Sequence, residues 1–178
     1  MSSTEGLDTP EDSGVIDEST LPPEVQEYYN AIRESVFAKT LGQLQNRDVD
    51  IRVKVLVAHG FLELMINAIV DAKLKNHKKI TSDNRGYPHA VRLLMLNEIG
   101  FLTDHSYKNL DQFRKFRNRA AHAPVFKPDL KITETLPDGQ TIELTVDNWL
   151  TRIVGGFWNE HLDILAPVFM PKLKQPAK

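Results

Sequence analysis

One segment of the chain gathers side chains whose types and spacing suit chemistry: Phe113-Arg114-Lys115-Phe116-Arg117-Asn118-Arg119-Ala120-Ala121-His122-Ala123-Pro124. Asn118 and His122 are four residues apart, so a helix stacks them on one face. Arg117 sits roughly 100° from Asn118 around the helix and reaches the same space. A guanidinium, an amide and an imidazole are therefore expected to meet near one helix terminus, with Ala120 and Ala121 keeping the surroundings low enough for a partner backbone to approach. Histidine titrates near neutrality and suits proton transfer. Arginine stays charged and offers paired N–H groups to phosphate oxygens. Together these groups could serve RNA cleavage by attack of a 2′-OH on the adjacent phosphate, which needs a base, an acid and positive charge on the phosphorane. One histidine does not readily serve as base and acid at once, and a two-fold dimer would bring two Arg–His sets into one cleft. The plainer alternative is that Arg117 pairs with an acid such as Glu63 or Glu98 while His122, a cation near a helix C-terminus, serves packing and the terminal carbonyls.

Basic residues around this segment suggest a nucleic-acid surface. Arg114, Lys115 and Arg119 flank the motif, and Lys78 and Lys79 stand in a basic stretch further upstream, all able to track a phosphate backbone. Aromatic interleaving of the kind that stacks unpaired bases is weak, with Tyr87 the one nearby candidate. The bland counterpart is a solvated basic loop.

Other chemistries are excluded or unsupported. The absence of cysteine removes disulfides, thiolate metal sites and a cysteine nucleophile. No Gly-rich phosphate loop, Gly-x-Ser-x-Gly elbow or His-Glu-x-x-His helix is present. The six histidines show no tight ligand spacing except His59 with Glu63, four apart on the apolar helix, and that pair reads as a buried hydrogen-bonding couple rather than a metal site. No cofactor and no metal are expected.

The elements that must position the motif follow from periodicity. Pro22 and Pro23 open a helix over 23–45. From Asp50, an N-cap candidate, to about Lys75 the chain is apolar almost all round and reads as the central helix of a bundle. Arg52, Lys54, Glu63 and Asp71 interrupt it too often for a membrane span. A basic loop follows, then a helix from Tyr87-Pro88 that ends at Gly100, a left-handed C-cap candidate. The motif helix begins at Thr103 or Asp104 and presents Leu110, Phe113, Phe116 and Ala120 at helical spacing before Pro124 closes it. Residues 131–136 and 141–146 alternate around Pro137-Asp138-Gly139, a hairpin signal. A two-stranded ribbon is marginal alone, so it should lie on the bundle or pair across a dimer. Asp147 is the expected cap of a last helix that stops near Pro167.

With 178 residues the chain suits one domain. Its 22 basic and 24 acidic residues give a net charge of −2 that hides an asymmetry. Residues 1–20 carry six acids and no base, which leaves the rest at +4. The expected organisation is a disordered acidic tail over 1–20, a helical domain over 21–170 with a hairpin insertion at 131–146, and a frayed tail over 171–178. The acidic tail would solubilise the chain or shield a basic site. The polar N-terminus is unlike a secretory signal or transit peptide, so the expectation is a soluble cytoplasmic protein with no membrane partner.

Arg117-Asn118-Arg119-Ala120-Ala121-His122 resembles the signature of HEPN domains: an arginine, often followed by a polar residue, then a histidine after four to six intervening positions. The long apolar helix followed by a later motif-bearing helix fits that family's plan. The stretch over about 50–126 is also similar to the mannitol-repressor-like, bacterial branch of these proteins, where a regulatory role is assigned. The resemblance implies a helical bundle that dimerises through the motif helix. It implies Arg117 and His122 as the catalytic pair, Asn118 as the supporting polar residue, and metal-independent endoribonuclease activity, in some members as the toxin of a toxin–antitoxin pair. The hairpin departs from the simplest form of the family.

The expected fold is thus an all-α, up-and-down bundle of about five helices with one inserted β-hairpin, acting as a homodimer. The expected ligand is an RNA substrate, with a regulatory protein partner as the alternative in which the bundle is a non-catalytic dimerisation module.

Overall fold

The computed structural model describes residues 22–126, 128, 132–135 and 140–170. The tails expected over 1–20 and 171–178 and the turn expected at Pro137-Asp138-Gly139 lie outside the described residues. Among those described, the architecture is all-α with one hairpin: α1 (Pro23–Glu34), α2 (Val36–Gln45), α3 (Ile51–Lys73), α4 (His77–Ser82), α5 (His89–Glu98), α6 (Asp104–His122), β1 (Ile132–Thr135), β2 (Thr141–Leu144), α7 (Val146–Glu160) and α8 (Leu162–Phe169).

The eight helical segments replace the five expected, and each extra break has a local cause. The helix expected over 23–45 is divided at Ser35, whose backbone is extended (φ −62°, ψ 151°). The Ser35 hydroxyl accepts from the Ala38 amide at 3.1 Å and donates to the Ile32 carbonyl, so one buried serine ends α1 and caps α2. The basic loop after α3 contains a short helix, α4, anchored by buried Ile80. The last helix is divided at His161 (φ −125°), and α8 passes through Pro167 and ends two residues on, at Phe169, near the expected stop. Pro167 forfeits one N–H, whose partner would be the carbonyl of the exposed Asp163, and water can serve that carbonyl instead. Asp147 does not cap α7. Thr145 does, accepting from the Asn148 amide at 3.2 Å.

Other expectations hold. Asp50 caps α3 through the Arg52 amide at 2.8 Å, and Thr103 caps α6 through the Ser106 amide at 3.1 Å. Gly100 has φ 71° between α5 and α6, the left-handed conformation that glycine adopts without strain.

α3 occupies the centre and packs on α2, α4, α5, α6, α7 and α8. Val55, Ala58, Phe61, Leu62, Met65, Ile66, Ile69 and Val70 along it are buried. By length and composition α3 could cross a membrane. Four of its charged residues instead each hold a different part of the protein. Arg52 Nη2 donates to the Ala123 carbonyl beyond α6 (2.9 Å), and Lys54 Nζ reaches Asp147 Oδ1 on α7 (2.9 Å). Glu63 lies 4.0 Å from Arg92 Nη1 on α5, and Asp71 bonds His77 Nδ1 on α4 (3.0 Å). These contacts make α3 the strut of a bundle.

The hairpin is antiparallel, with Ile132 opposite Leu144 and Thr135 opposite Thr141. It lies on the bundle, one of the two outcomes expected for a marginal ribbon. Buried Ile132 and half-buried Leu144 join the core, and β2 packs on α7. Phe113 and Phe116 of α6 both meet Trp149 of α7 edge-on at 5.4 Å, which fixes the face that the motif helix turns inward.

Candidate functional site

The motif occupies the last two turns of α6. Phe113, Phe116 and Ala120 are buried and set the rotation of the helix. Its end is held from outside by Arg52, through the Ala123 carbonyl, and by the Ala123 amide bonding back to the Arg119 carbonyl at 2.9 Å.

Arg117 is half-buried and His122 is exposed. Arg117 Nη1 donates to Asn118 Oδ1 at 3.3 Å, so the structure joins the first two members of the motif. His122 makes no hydrogen bond or ion pair among the described residues and presents its imidazole one turn beyond Asn118. Arg117 and His122 are five positions apart, about 140° around the helix, so Asn118 lies between two diverging directions. Neither Glu63 nor Glu98 pairs with Arg117 among the described contacts. Glu63 approaches Arg92 instead.

The flanking basic residues divide into two groups. Arg114 donates to Asp111 Oδ1 through Nε and Nη2 (2.9 and 2.8 Å), and Lys115 Nζ reaches Asp111 Oδ2 at 2.7 Å. The Lys115 and Arg114 hydrogen bonds hold the Asp111 carboxyl below the usual carboxylate range despite partial desolvation. Two of the expected phosphate contacts are thus partly neutralised in the free protein. Arg119 stacks over the Phe116 ring, 5.5 Å from its centroid. Lys78 and Lys79 are exposed on α4, beyond the C-terminal end of α3, whereas the end of α6 meets the first turn of α3. With α3 roughly 35 Å long, the two lysines stand toward the other end of the molecule from His122.

The structure also places beside the motif two histidines that sequence pattern did not connect with it. His59 on α3 does not bond Glu63. Its ring lies 5.0 Å from that of His89, the first residue of α5, and 6.3 Å from Phe113. Burial first, then the charges of Arg117 and Arg114, push His59 down to about 4. Burial, then neighbouring His59, Arg92, Arg114 and Arg117, push His89 down to about 3. Both imidazoles are therefore neutral at neutral pH. His89 Nδ1 and Arg117 Nε are shut off from solvent without a hydrogen-bond partner. Helical spacing could show His59 on a buried face, but the pairing with His89 crosses between helices thirty residues apart in sequence and has no local signal.

A concavity of about 400 Å³ lies between α6, α7 and the hairpin, lined among others by His105, Asn109, Trp149 and Arg152. His105 Nε2 and Asn109 Nδ2 are 3.0 Å apart there. Among the described residues no group of three His, Cys, Asp or Glu side chains is placed to hold a metal ion.

Comparison with family models, curated proteins and solved structures finds no match to this chain.

Proposed function

We propose that the chain is a metal-independent endoribonuclease of the HEPN type, acting in the cytoplasm as a homodimer. The observation that supports this best is the Arg117–Asn118 hydrogen bond at 3.3 Å, with an exposed His122, without a partner among the described residues, one helical turn past Asn118. In the proposed reaction the 2′-OH attacks the adjacent phosphorus and the bond to the 5′-oxygen breaks, leaving a 2′,3′-cyclic phosphate and a 5′-OH. One imidazole takes the 2′-OH proton and a second delivers a proton to the leaving oxygen. Arg117 holds the phosphate oxygens, and Asn118 orients the guanidinium. Because Arg117 and His122 of one chain diverge around α6, the His122 serving a given Arg117 comes from the partner in a two-fold pairing of motif helices. RNA cleavage in EDTA by the wild type, lost in His122→Ala, is the expected result. Equal cleavage by both, or none by a folded wild type on varied RNAs, removes the proposal.

One observation favours the alternative, a non-catalytic dimerisation and regulatory module resembling mannitol operon repressors. Arg117 Nε is shut off from solvent, and the charge of Arg117 falls on buried imidazoles. That reading expects Arg117→Ala to change dimerisation in sedimentation without any turnover to lose.

A further inference from the structure

We propose that Arg114 and Arg117 of α6, backed by His59 of α3 and His89 of α5, form a binding site for a phosphate group. Arg114 and Arg117 are three residues apart, so their side chains leave the helix on one side, and both are only half-buried, open to a ligand from solvent. The two imidazoles lie together with rings 5.0 Å apart, His59 is 6.3 Å from Phe113 on the same helix as the arginines, and the charges of Arg114 and Arg117 act on both rings. Arg92 adds a third, buried guanidinium, held by the side chains of Asn67 and Asn84.

The balance of charge selects the ligand. Two carboxylates stand among these groups: Asp111, already shared by Arg114 and Lys115, and Glu63, 4.0 Å from Arg92. Among the described residues Arg117 has an amide as its hydrogen-bond partner and no acid. A metal ion between the two imidazoles would sit beside three guanidinium groups, so a cation is disfavoured and an anion favoured. A tetrahedral oxyanion can take N–H groups from both half-buried arginines at once. It would also oppose the charges that help keep His59 and His89 neutral, allowing the rings to take up a proton and donate to the anion.

The site rests on the RNA-cleaving reading only for the origin of the phosphate, which is either an RNA strand or free phosphate. The test follows the histidine ring signals of the full chain by NMR at constant ionic strength. One arm adds inorganic phosphate, and the other a short 2′-O-methylated oligoribonucleotide that 2′-OH attack cannot cleave. Saturable shifts of the His59 and His89 rings, with affinity lowered about tenfold in Arg117→Ala and in Arg114→Gln, are expected from the loss of a charge-assisted contact. Saturation by the oligomer at lower concentration assigns the site to a strand, and saturation by inorganic phosphate alone assigns it to the free ion. Rings that do not respond to either probe, or affinity unchanged in both variants, overturn the proposal. Cleavage is not read, so an inactive protein that still binds would sink the nuclease reading and leave this site standing.

Discussion

Arg52 Nη2 donates to the Ala123 carbonyl at 2.9 Å, joining the first turn of α3 to the residue that closes α6. The same guanidinium lies 5.8 Å from the centroid of Phe126, so one side chain steadies both the end of the motif helix and the chain leaving it. Arg52→Ala removes this tie without touching Arg117, Asn118 or His122. The expected cost is about 1–2 kcal/mol, typical for a hydrogen bond to a charged donor. Hydrogen exchange should show lower protection of the Ala123 amide, which bonds the Arg119 carbonyl, with α3 beyond its first turn unchanged. Equal protection in the variant would show that the end of α6 is held without Arg52.

The His59–His89 pair makes stability fall toward acid pH. Both folded values, about 4 and about 3, lie below the ordinary 6.5, so the unfolded chain binds more protons between them. Stability is fully present above about pH 6.5 and declines as pH falls toward the folded values. Either ring alone would cost about 2 kcal/mol by pH 5. The charges facing the pair are Arg92 from α5 and Arg114 and Arg117 from α6, with Glu63 on α3 and Asp111 on α6 as the nearby acids. Burial also lowers His161, which adds in the same direction. Urea denaturation midpoints at pH 7.5 and pH 5 should differ, and the difference should shrink in His59→Gln. Midpoints independent of pH would mean that the two rings are as accessible to protons as in the unfolded chain.

The core was legible because its signals are local. The apolar run over 51–70, the aromatic spacing of Phe113 and Phe116, and the alternation about the hairpin each encode a buried face within one element. Caps at Asp50 and Thr103 were readable for the same reason, as was the C-terminal glycine at 100. Ser35 was not read as a break, because an apolar periodicity runs through it and a single serine is tolerated inside a helix. The candidate site was legible on α6 and illegible elsewhere. Arg117 and Asn118 are neighbours in sequence, but the imidazoles that face Arg117 come from α3 and α5. The pattern around His59 pointed to Glu63, four residues along the same helix. In the fold, His59 turns to His89, and Glu63 approaches Arg92.

Gly100 links α5 to α6 at φ 71°, and its amide bonds the Asn97 carbonyl at 2.8 Å. Space is not the constraint, since a Cβ there would meet nothing within 4 Å. The cost of Gly100→Ala is conformational, about 1 kcal/mol for a left-handed alanine. A thermal melt should therefore move down by a few degrees. No change would mean that the linker adopts another conformation at little cost.

Lys54 is 3 % exposed in the first turn of α3, and its ammonium meets Asp147, 51 % exposed, at 2.9 Å in the first turn of α7. The two partners are not equivalent. Asp147 can return to water when Lys54 is lost, whereas Lys54 cannot leave the interior when Asp147 is lost. Asp147→Asn leaves a buried ammonium without its counter-charge and should cost about 2–4 kcal/mol, including a smaller loss at the N-terminus of α7. Lys54→Met keeps the length of the side chain, removes the charge that needs a partner, and should cost less. The double variant should lie near Lys54→Met alone, because the penalty of the unpaired charge disappears with the charge. Chemical denaturation of the four proteins closes the cycle. If Asp147→Asn costs as much in the Lys54→Met background as in the wild type, the two residues are energetically independent, and α7 is held on α3 by apolar packing alone.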